Sequence, residues 1–239
     1  MKWMKKLFGG APVLPSVSLP ADQAAALAAW RKRPDEDFAR PHFRTRYVVV
    51  DVEASGLNMR RDRLISIGAV AVSGGMIDPL DTFGVVLRQD EVSSHENILI
   101  HGIGGSAQQD GVEPVAALLR FLDFVGKAPL VAYHAEFDQA MIERAARDHL
   151  GTALELRWID LAWVLPELFR ERIDAQAQLD DWLGQFGIGN FLRHNAVADA
   201  YATAQLLQVA LTRGAATGKE SAQSFFDTEK ARRWLRRAG

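Results

Sequence analysis

The sequence predicts an α/β protein with a mixed central sheet of about five strands flanked by helices. The first observation is that three apolar, β-branched runs come first, with connections short enough to imply antiparallel neighbours. The second is that helical and strand patterns then alternate, which adds further strands and supplies helices to cover the sheet. A glycine- and proline-broken stretch precedes both and predicts a helical extension.

The strands follow from short runs of β-branched and aromatic residues between turn signals. The first run, residues 47–52, is almost wholly apolar and ends in two carboxylates. Gly74 and Gly75 mark the turn between the second and third runs. Strands are predicted at residues 47–52, 64–72, 81–87, 129–133 and 157–159.

The helices follow from apolar residues that recur three and four positions apart. An alanine-rich stretch predicts the first of them, and it ends near Pro34, where the composition changes. Helices are predicted at residues 21–33, 115–125, 137–149, 161–170, 179–186 and 196–212.

The domain organisation predicted from these elements has three parts. Residues 1–45 form an N-terminal extension with a short helix, residues 46–213 form the main α/β domain, and residues 214–239 form a C-terminal tail that is basic at its end. The extension is the segment expected to dock on a partner, by elimination. A sequence at 223–226 (QSFF) weakly resembles a sliding-clamp binding peptide.

Composition limits the function classes. The chain has 239 residues, a formal net charge of -2 and no cysteine. The absence of cysteine excludes disulfides, thiolate metal sites and cysteine nucleophiles. No apolar run reaches the roughly 18 residues of a transmembrane helix, so none is predicted, and the lack of cysteine fits a cytoplasmic protein. Since the chain is not basic, binding to nucleic acid would have to be local or assisted by a metal.

Two carboxylates at the end of the first strand are the strongest functional signal. Asp51 and Glu53 are two residues apart, so their side chains point to the same face of the sheet. Like charges held together at a core strand end are costly unless a cation lies between them. Oxygen ligands of this kind favour a hard divalent cation.

Two further carboxylates begin apolar helix faces. Asp138 lies on the stripe of Met141 and Ile142, and Asp199 lies on the stripe of Ala202 and Leu206. A helix-dipole role would explain either carboxylate alone. Three carboxylate sites at element ends predict one shared site instead. His194 precedes the helix of Asp199, with Asn195 as the predicted N-cap, and its residue type suits a general base.

Three motifs in order resemble the DEDDh 3′-5′ exonucleases, the DnaQ-like family that includes polymerase III epsilon-like subunits and RNase T. Residues 51–56 (DVEASG) resemble D-x-E-T-[ST]-G, residues 133–138 (YHAEFD) resemble H-N-x-x-F-D, and residues 194–199 (HNAVAD) match H-x-A-x-x-D. Ala54 stands where the family often has threonine, and His134 stands where it commonly has asparagine. Neither departure removes a carboxylate.

The resemblance implies an RNase H-like fold and hydrolysis with two divalent cations, Mg²⁺ or Mn²⁺. It implies that Asp51, Glu53, Asp138 and Asp199 bind metal and that His194 takes a proton from the attacking water. It also implies substrate contacts from the residues around the first two motifs, which are Ala54, Ser55, Gly56, Leu57, His134 and Phe137.

The substrate expected from the resemblance is the 3′ end of single-stranded DNA, which would be degraded to nucleoside 5′-monophosphates in proofreading or repair. An RNA-directed exonuclease is one alternative, because nothing in the sequence reads the 2′-hydroxyl. A weakly active nucleic-acid-binding module in a larger assembly is another. A polymerase or sliding-clamp partner is a further, weaker expectation.

Overall fold

The computed structural model describes residues 17–171, 177–190 and 192–238. Its centre is a five-stranded mixed sheet in the order β3-β2-β1-β4-β5. The first three strands are antiparallel neighbours, and β4 and β5 add in parallel to β1. The predicted fold class is confirmed. The strands are β1 Arg46–Ala54, β2 Leu64–Ser73, β3 Met76–Val86, β4 Leu130–Ala132 and β5 Trp158–Asp160.

Helices cover both faces of this sheet. Because side chains alternate along β1, Val48 and Val50 pack with α4 and α5, whereas Tyr47 and Val49 pack with α6, α7 and α8. In chain order the helices are α1 Ala21–Arg31, α2 His95–His101, α3 Gly105–Gln109, α4 Pro114–Val125, α5 Glu136–Leu150, α6 Leu161–Leu168, α7 Leu179–Gln185, α8 Ala196–Ala216 and α9 Ala222–Ala238, and a short 3₁₀ turn covers His42–Arg44.

The third strand begins five residues earlier than the sequence predicts. Gly74 and Gly75 both have positive φ, 62° and 77°, which lets a two-residue turn reverse the chain at once. Met76 therefore pairs directly with Ser73. Most side chains of the first half of β3 are exposed or half-buried, so this part lacks the apolar run that marks the other strands.

Three helices were not predicted, and two of them lie between β3 and α4. Helices α2 and α3 have seven and five residues, too few for an apolar stripe to repeat. Capping rather than burial defines the start of α2, because the Ser94 side chain accepts a hydrogen bond from the Asn97 N–H. Leu99 and Ile100 remain exposed on α2.

The C-terminal segment is the third unpredicted helix and is not a tail. Helix α9 packs against β5 and α6, and Phe225 is fully buried in the core of that face. The prediction of a clamp-binding peptide at 223–226 is therefore wrong, since Phe225, its first aromatic residue, is buried and unavailable to a partner. The sequence did not predict this helix because arginines interrupt its pattern of apolar residues.

The described part of the N-terminal extension packs on the domain. Helix α1 contacts α4, and the Trp30 indole N–H donates to the Gly126 carbonyl at 2.8 Å. The first 16 residues of the predicted extension lie outside the described residues. Among the described residues, no helix is both long enough and apolar enough to cross a membrane.

Candidate active site

The carboxylate pair of β1 meets a third carboxylate from α8. Asp51, Glu53 and Asp199 each offer an oxygen atom, and these atoms all lie within 4.8 Å of one another. Glu53 is 9% exposed and Asp199 is 6% exposed, so water screens their charges poorly. Strand alternation brings Asp51 and Glu53 to one face, and α8 crosses that same face.

Asp138 enters the site from the opposite side of β1. It lies in the first turn of α5, is buried, and its Oδ1 accepts a hydrogen bond of 3.1 Å from the backbone N–H of Val52. That bond is available because β4 pairs with β1 only at Val48 and Val49 and leaves Val52 free on this edge. Asp138 is outside the 4.8 Å group, but its charge acts on Asp51.

The loop before α8 holds Asp199 in place. Asn195 caps the helix as predicted, with its side chain accepting from the Ala198 N–H at 3.1 Å. The His194 backbone N–H donates to Asp199 Oδ2 at 2.8 Å, and the Asn190 side-chain amide donates to Oδ1. The Arg193 guanidinium lies 3.8 Å from the same Oδ1 and offsets part of the negative charge.

The start of α8 packs directly against two glycines of the sheet. Gly68 of β2 lies directly opposite Asp51, and Gly84 of β3 lies directly opposite Gly68. A Cβ on Gly68 would fall 2.2 Å from the backbone carbon of Ala196, and one on Gly84 would fall 2.9 Å from a Val197 methyl. The missing side chains therefore let α8 approach closely enough for Asp199 to reach Asp51.

Substituting Gly68 by alanine is expected to lower both stability and activity. The new methyl group collides with helix backbone, which cannot rotate away, so the start of α8 must shift. Overpacking of this kind costs about 1–3 kcal/mol of unfolding free energy. A displacement of about 1 Å at Asp199 is expected to lower kcat by about 10²-fold. Urea unfolding and steady-state kinetics measure the two effects.

The matched control is Gly184→Ala. Gly184 lies within α7, and a Cβ there meets nothing within 4 Å. This variant is expected to keep full activity and to gain slightly in stability, because alanine favours helix. If Gly68→Ala retained the wild-type kcat, the close packing of α8 on Gly68 would not be what positions Asp199.

Hydrogen bonds between its own residues hold the loop that follows β1. The Ser55 hydroxyl accepts from the Arg63 N–H at 2.9 Å, and Asp62 accepts from the Asn58 N–H at 2.7 Å. A Cβ on Gly56 would fall 2.5 Å from the Asp62 carboxylate, so a larger residue there would displace the side chain that accepts from Asn58. Leu57 at the tip of the loop is 88% exposed and packs against nothing in the core.

The residues of the first two motifs differ in how far their side chains are exposed to solvent. His134 is exposed, whereas Phe137 is half-buried against the core and Ala54 is half-buried at the end of β1. His134 has φ 61° and His194 has φ 61°, and among the described residues these are the non-glycine residues with positive φ. Such strained backbone is often associated with functional sites.

A carboxylate fixes each strained histidine. The His134 N–H donates to Asp160 Oδ1 at 2.9 Å, just as the His194 N–H donates to Asp199. Asp160 ends β5, caps α6 through the Ala162 N–H and pairs with Arg233 of α9 at 3.2 Å. Helix α9 therefore helps to hold the second motif.

Burial and mutual repulsion disfavour ionisation of this cluster. Burial, followed by the charges of Asp138, Asp199 and Glu53, raises the pKa of Asp51 well above its usual range. Burial also raises the pKa of Asp138, against the hydrogen bond from Val52. Burial and the nearby Asp199 raise the pKa of Glu53 to about 7. A cation bound among these oxygens would reverse the effect.

The raised pKa values predict a pH-dependent response to metal. A carboxyl whose pKa is higher in the folded state stabilises the fold below its unfolded value, and that stabilisation is lost as pH rises through the folded value. For Glu53 this window runs from 4.5 to about 7. The metal-free protein should therefore melt at lower temperature above pH about 7, and Mg²⁺ should raise the melting temperature more there than at lower pH.

Thermal unfolding in EDTA and in Mg²⁺ across this window measures the effect. Glu53→Gln should flatten the pH dependence of the metal-free protein. An equal Mg²⁺-induced rise on both sides of the window would contradict this coupling between protonation and metal.

Sequence reasoning missed three contributors to the site. Gly68 carried a usable signal, because a glycine inside a β-branched strand often marks close backbone approach. Asp160 also carried one, since it comes directly after a predicted strand, much as Asp51 lies near the end of another. Asn190 carried none, because it lies in a connection between helices and reaches Asp199 only through the fold.

Comparison with known proteins identifies relatives by sequence. Residues 48–207 match the RNase_T exonuclease family. DNA polymerase III PolC-type from Thermotoga maritima is 29% identical over 160 residues, which is 67% of this chain and 11% of that protein. The PolC-type polymerase of Clostridium perfringens is 30% identical over 176 residues, 70% of this chain and 11% of that protein. The chain thus spans about a tenth of these relatives.

Solved structures share the fold. E. coli exonuclease I in complex with a dT13 oligonucleotide superposes with a TM-score of 0.61 at 18% identity, covering 73% of this chain and 42% of that one. Exonuclease X in complex with 5′-overhanging duplex DNA gives 0.59 at 20% identity, covering 77% and 99%.

The family match spans both β1 and the start of α8, and so includes the four carboxylates and His194. It confirms the resemblance that the three motifs indicated, and this chain belongs to the DnaQ-like exonuclease family, a family of phosphodiester hydrolases.

Proposed function

We propose that the protein is a metal-dependent 3′-5′ exonuclease that removes nucleoside 5′-monophosphates from the 3′ end of single-stranded DNA. The observation that carries the proposal is the convergence of Asp51, Glu53 and Asp199 within 4.8 Å, with Asp138 behind them. A buried group of like charges at the end of a sheet is unfavourable unless it serves to bind cations.

The residues present fit divalent cations. Their donor set is all carboxylate oxygen, which Mg²⁺ and Mn²⁺ prefer, and their raised pKa values mark a shortage of positive charge. Two such ions would be held by these four carboxylates: Asp51 would serve both, Glu53 and Asp199 would complete one site, and Asp138 would support the other. When bound, such ions supply an activated water and stabilise the leaving oxygen.

His194 is the proposed general base. Its side chain is exposed, and its backbone is held to Asp199, so the imidazole stands on the loop that bounds the metal group. It would accept a proton from the water that attacks phosphorus. The bond from phosphorus to the 3′ oxygen of the preceding nucleotide would then break, and that oxygen would take a proton from solvent to become the new 3′ hydroxyl.

The 3′-terminal nucleotide is proposed to lie over the loop after β1. Leu57 is exposed at its tip and offers an apolar surface to a base, while Ala54, Ser55 and Gly56 bring backbone close to the sugar. His134 faces solvent at the other side of β1, and Phe137 supports the start of α5 from the core.

Single-stranded DNA is the proposed substrate because the relatives are named as DNA polymerases and a neighbouring exonuclease holds a dT13 oligonucleotide. The PolC-type relatives also suggest a polymerase context. Because the chain spans about 11% of those polymerases, both proposals rest on the exonuclease segment alone.

The test uses 5′-labelled oligonucleotides in Mg²⁺ or Mn²⁺. A ladder that shortens from the 3′ end, release of 5′-monophosphates and inhibition by a blocked 3′ terminus are the expected results. Matched DNA and RNA oligonucleotides compare the two substrate classes. Internal cleavage of the blocked oligonucleotide would overturn the direction, and faster RNA turnover would overturn the substrate.

A further inference from the structure

Helix α9 carries an exposed aromatic residue among arginines. Trp234 is 67% exposed and Leu235 is 61% exposed, although large apolar side chains of this kind are usually buried. The residues around them are Arg232, Arg233, Arg236 and Arg237. A tryptophan set in a cationic surface is the combination that single-stranded nucleic acid binds through stacking and phosphate contacts.

Part of this cationic group anchors the helix and part of it is available. Arg232 pairs with Glu167 at 3.0 Å, and Arg233 pairs with Asp160 and stacks over Trp163. Among the described residues, no ion pair engages Lys230 or Arg237. The helix is therefore fixed by its inner arginines and presents its outer cations to solvent.

A groove runs along this helix. It has a volume of about 1070 Å³ and lies between α9 and the start of β5. Its cations are Arg157, Lys230, Arg233 and Arg237, against two carboxylates, Asp227 and Glu229. Four cations outnumber two carboxylates, and Glu229 is paired with Arg233, so the groove presents net positive charge.

The groove adjoins the start of α5, the helix that carries Asp138. A second cavity of about 320 Å³ shares Arg157, Trp158, Glu229 and Arg233 with it. This cavity is also lined by Ala135, Glu136 and Gln139, which flank Asp138 at the start of α5. The bond of Asp160 to both His134 and Arg233 joins the two regions further.

We propose that this groove binds the single strand upstream of the scissile phosphodiester. Lys230 and Arg237 contact backbone phosphates, and Trp234 stacks on a base. The proposal extends the proposed function, since it assigns the path of the substrate away from the metal group. It also explains how a chain with a net charge of -2 holds a polyanion, because the positive charge is concentrated on one helix.

The test compares long and short substrates for Trp234→Ala and Arg237→Glu. On a long single-stranded oligonucleotide, each variant is expected to raise KM by about tenfold, the magnitude of one lost stacking or phosphate contact. On a dinucleotide, which cannot reach the groove, kcat and KM are expected to stay at the wild-type values. Arg237→Glu should also weaken the salt dependence of oligonucleotide binding.

The matched controls are Phe43→Ala and Lys32→Glu. Phe43 is 69% exposed on the 3₁₀ turn, and Lys32 is exposed at the end of α1, so each removes a similar group elsewhere. Both are expected to leave KM on the long oligonucleotide unchanged. Fluorescence anisotropy of a labelled oligonucleotide in EDTA measures groove binding without turnover, so its result is independent of whether the protein is a nuclease.

Two outcomes overturn the proposal. An equal loss on the dinucleotide and on the long oligonucleotide would mean that α9 acts by holding the second motif in place. Unchanged KM and unchanged anisotropy in both α9 variants would mean that nucleic acid does not bind the groove, and that its exposed tryptophan serves a protein partner instead.

Discussion

Replacing Asp51 by asparagine is expected to lower the rate of metal-dependent phosphodiester hydrolysis by about 10²–10³-fold, the loss typical of removing one group that stabilises charge in the transition state. Asp51 has the most carboxylate neighbours in the group, since the charges of Asp138, Asp199 and Glu53 all act on it. An amide keeps the shape of the side chain but removes the charge that a cation requires.

The fold of this variant is expected to be intact. Asp51 makes no hydrogen bond that holds another described residue, and removing its charge relieves repulsion from the other carboxylates. The metal-free melting temperature should therefore be equal to or above that of the wild type, while the rise induced by Mg²⁺ should be lost. Asp22→Asn, an exposed carboxylate on α1, is the control. Wild-type hydrolysis by Asp51→Asn would refute the site.

Replacing His194 by asparagine is expected to lower kcat by about 10²–10⁴-fold, the range for loss of a general base. Asparagine suits this test because it tolerates the left-handed backbone that His194 adopts, with φ 61°, and so preserves the N–H bond to Asp199. It cannot accept a proton near neutral pH.

Metal binding and catalysis should separate in the His194 variant. The Mg²⁺-induced rise in melting temperature should equal that of the wild type, because the carboxylates are unchanged. His149→Asn, an exposed histidine at the far end of α5, is the control. Loss of the Mg²⁺ effect would indicate that His194 only shapes the loop.

Much of the fold was predictable because its buried elements have strong local patterns. Strand β1 is a continuous apolar run, and the stripes of α5 and α8 repeat at helical spacing. The failures share a cause. Helices α2 and α3 are too short for a period to appear, and α9 buries only a narrow face, with Phe225 in the core and arginines on its outer side.

The candidate site was likewise predictable from the sequence only in part. Asp51, Glu53, Asp138 and Asp199 were identifiable from sequence because a carboxylate at the start or end of an apolar pattern contradicts its surroundings. Their convergence was not, since it depends on how closely α8 approaches the sheet over Gly68. Asn190 and Asp160, which fix Asp199 and His134, act through contacts between residues distant in the chain.

From the sequence it was possible to predict the family, the order of the strands and helices that bear the motifs, and the four carboxylates and the histidine that are proposed for the site. These properties depend on residue type and spacing, which are local. The packing of the chain, in contrast, sets the distances: three of the carboxylates lie within 4.8 Å of one another, and α9 covers the β5 edge of the sheet and lines a cationic groove. The reason is that charge repulsion, burial and close backbone approach depend on distances that packing sets.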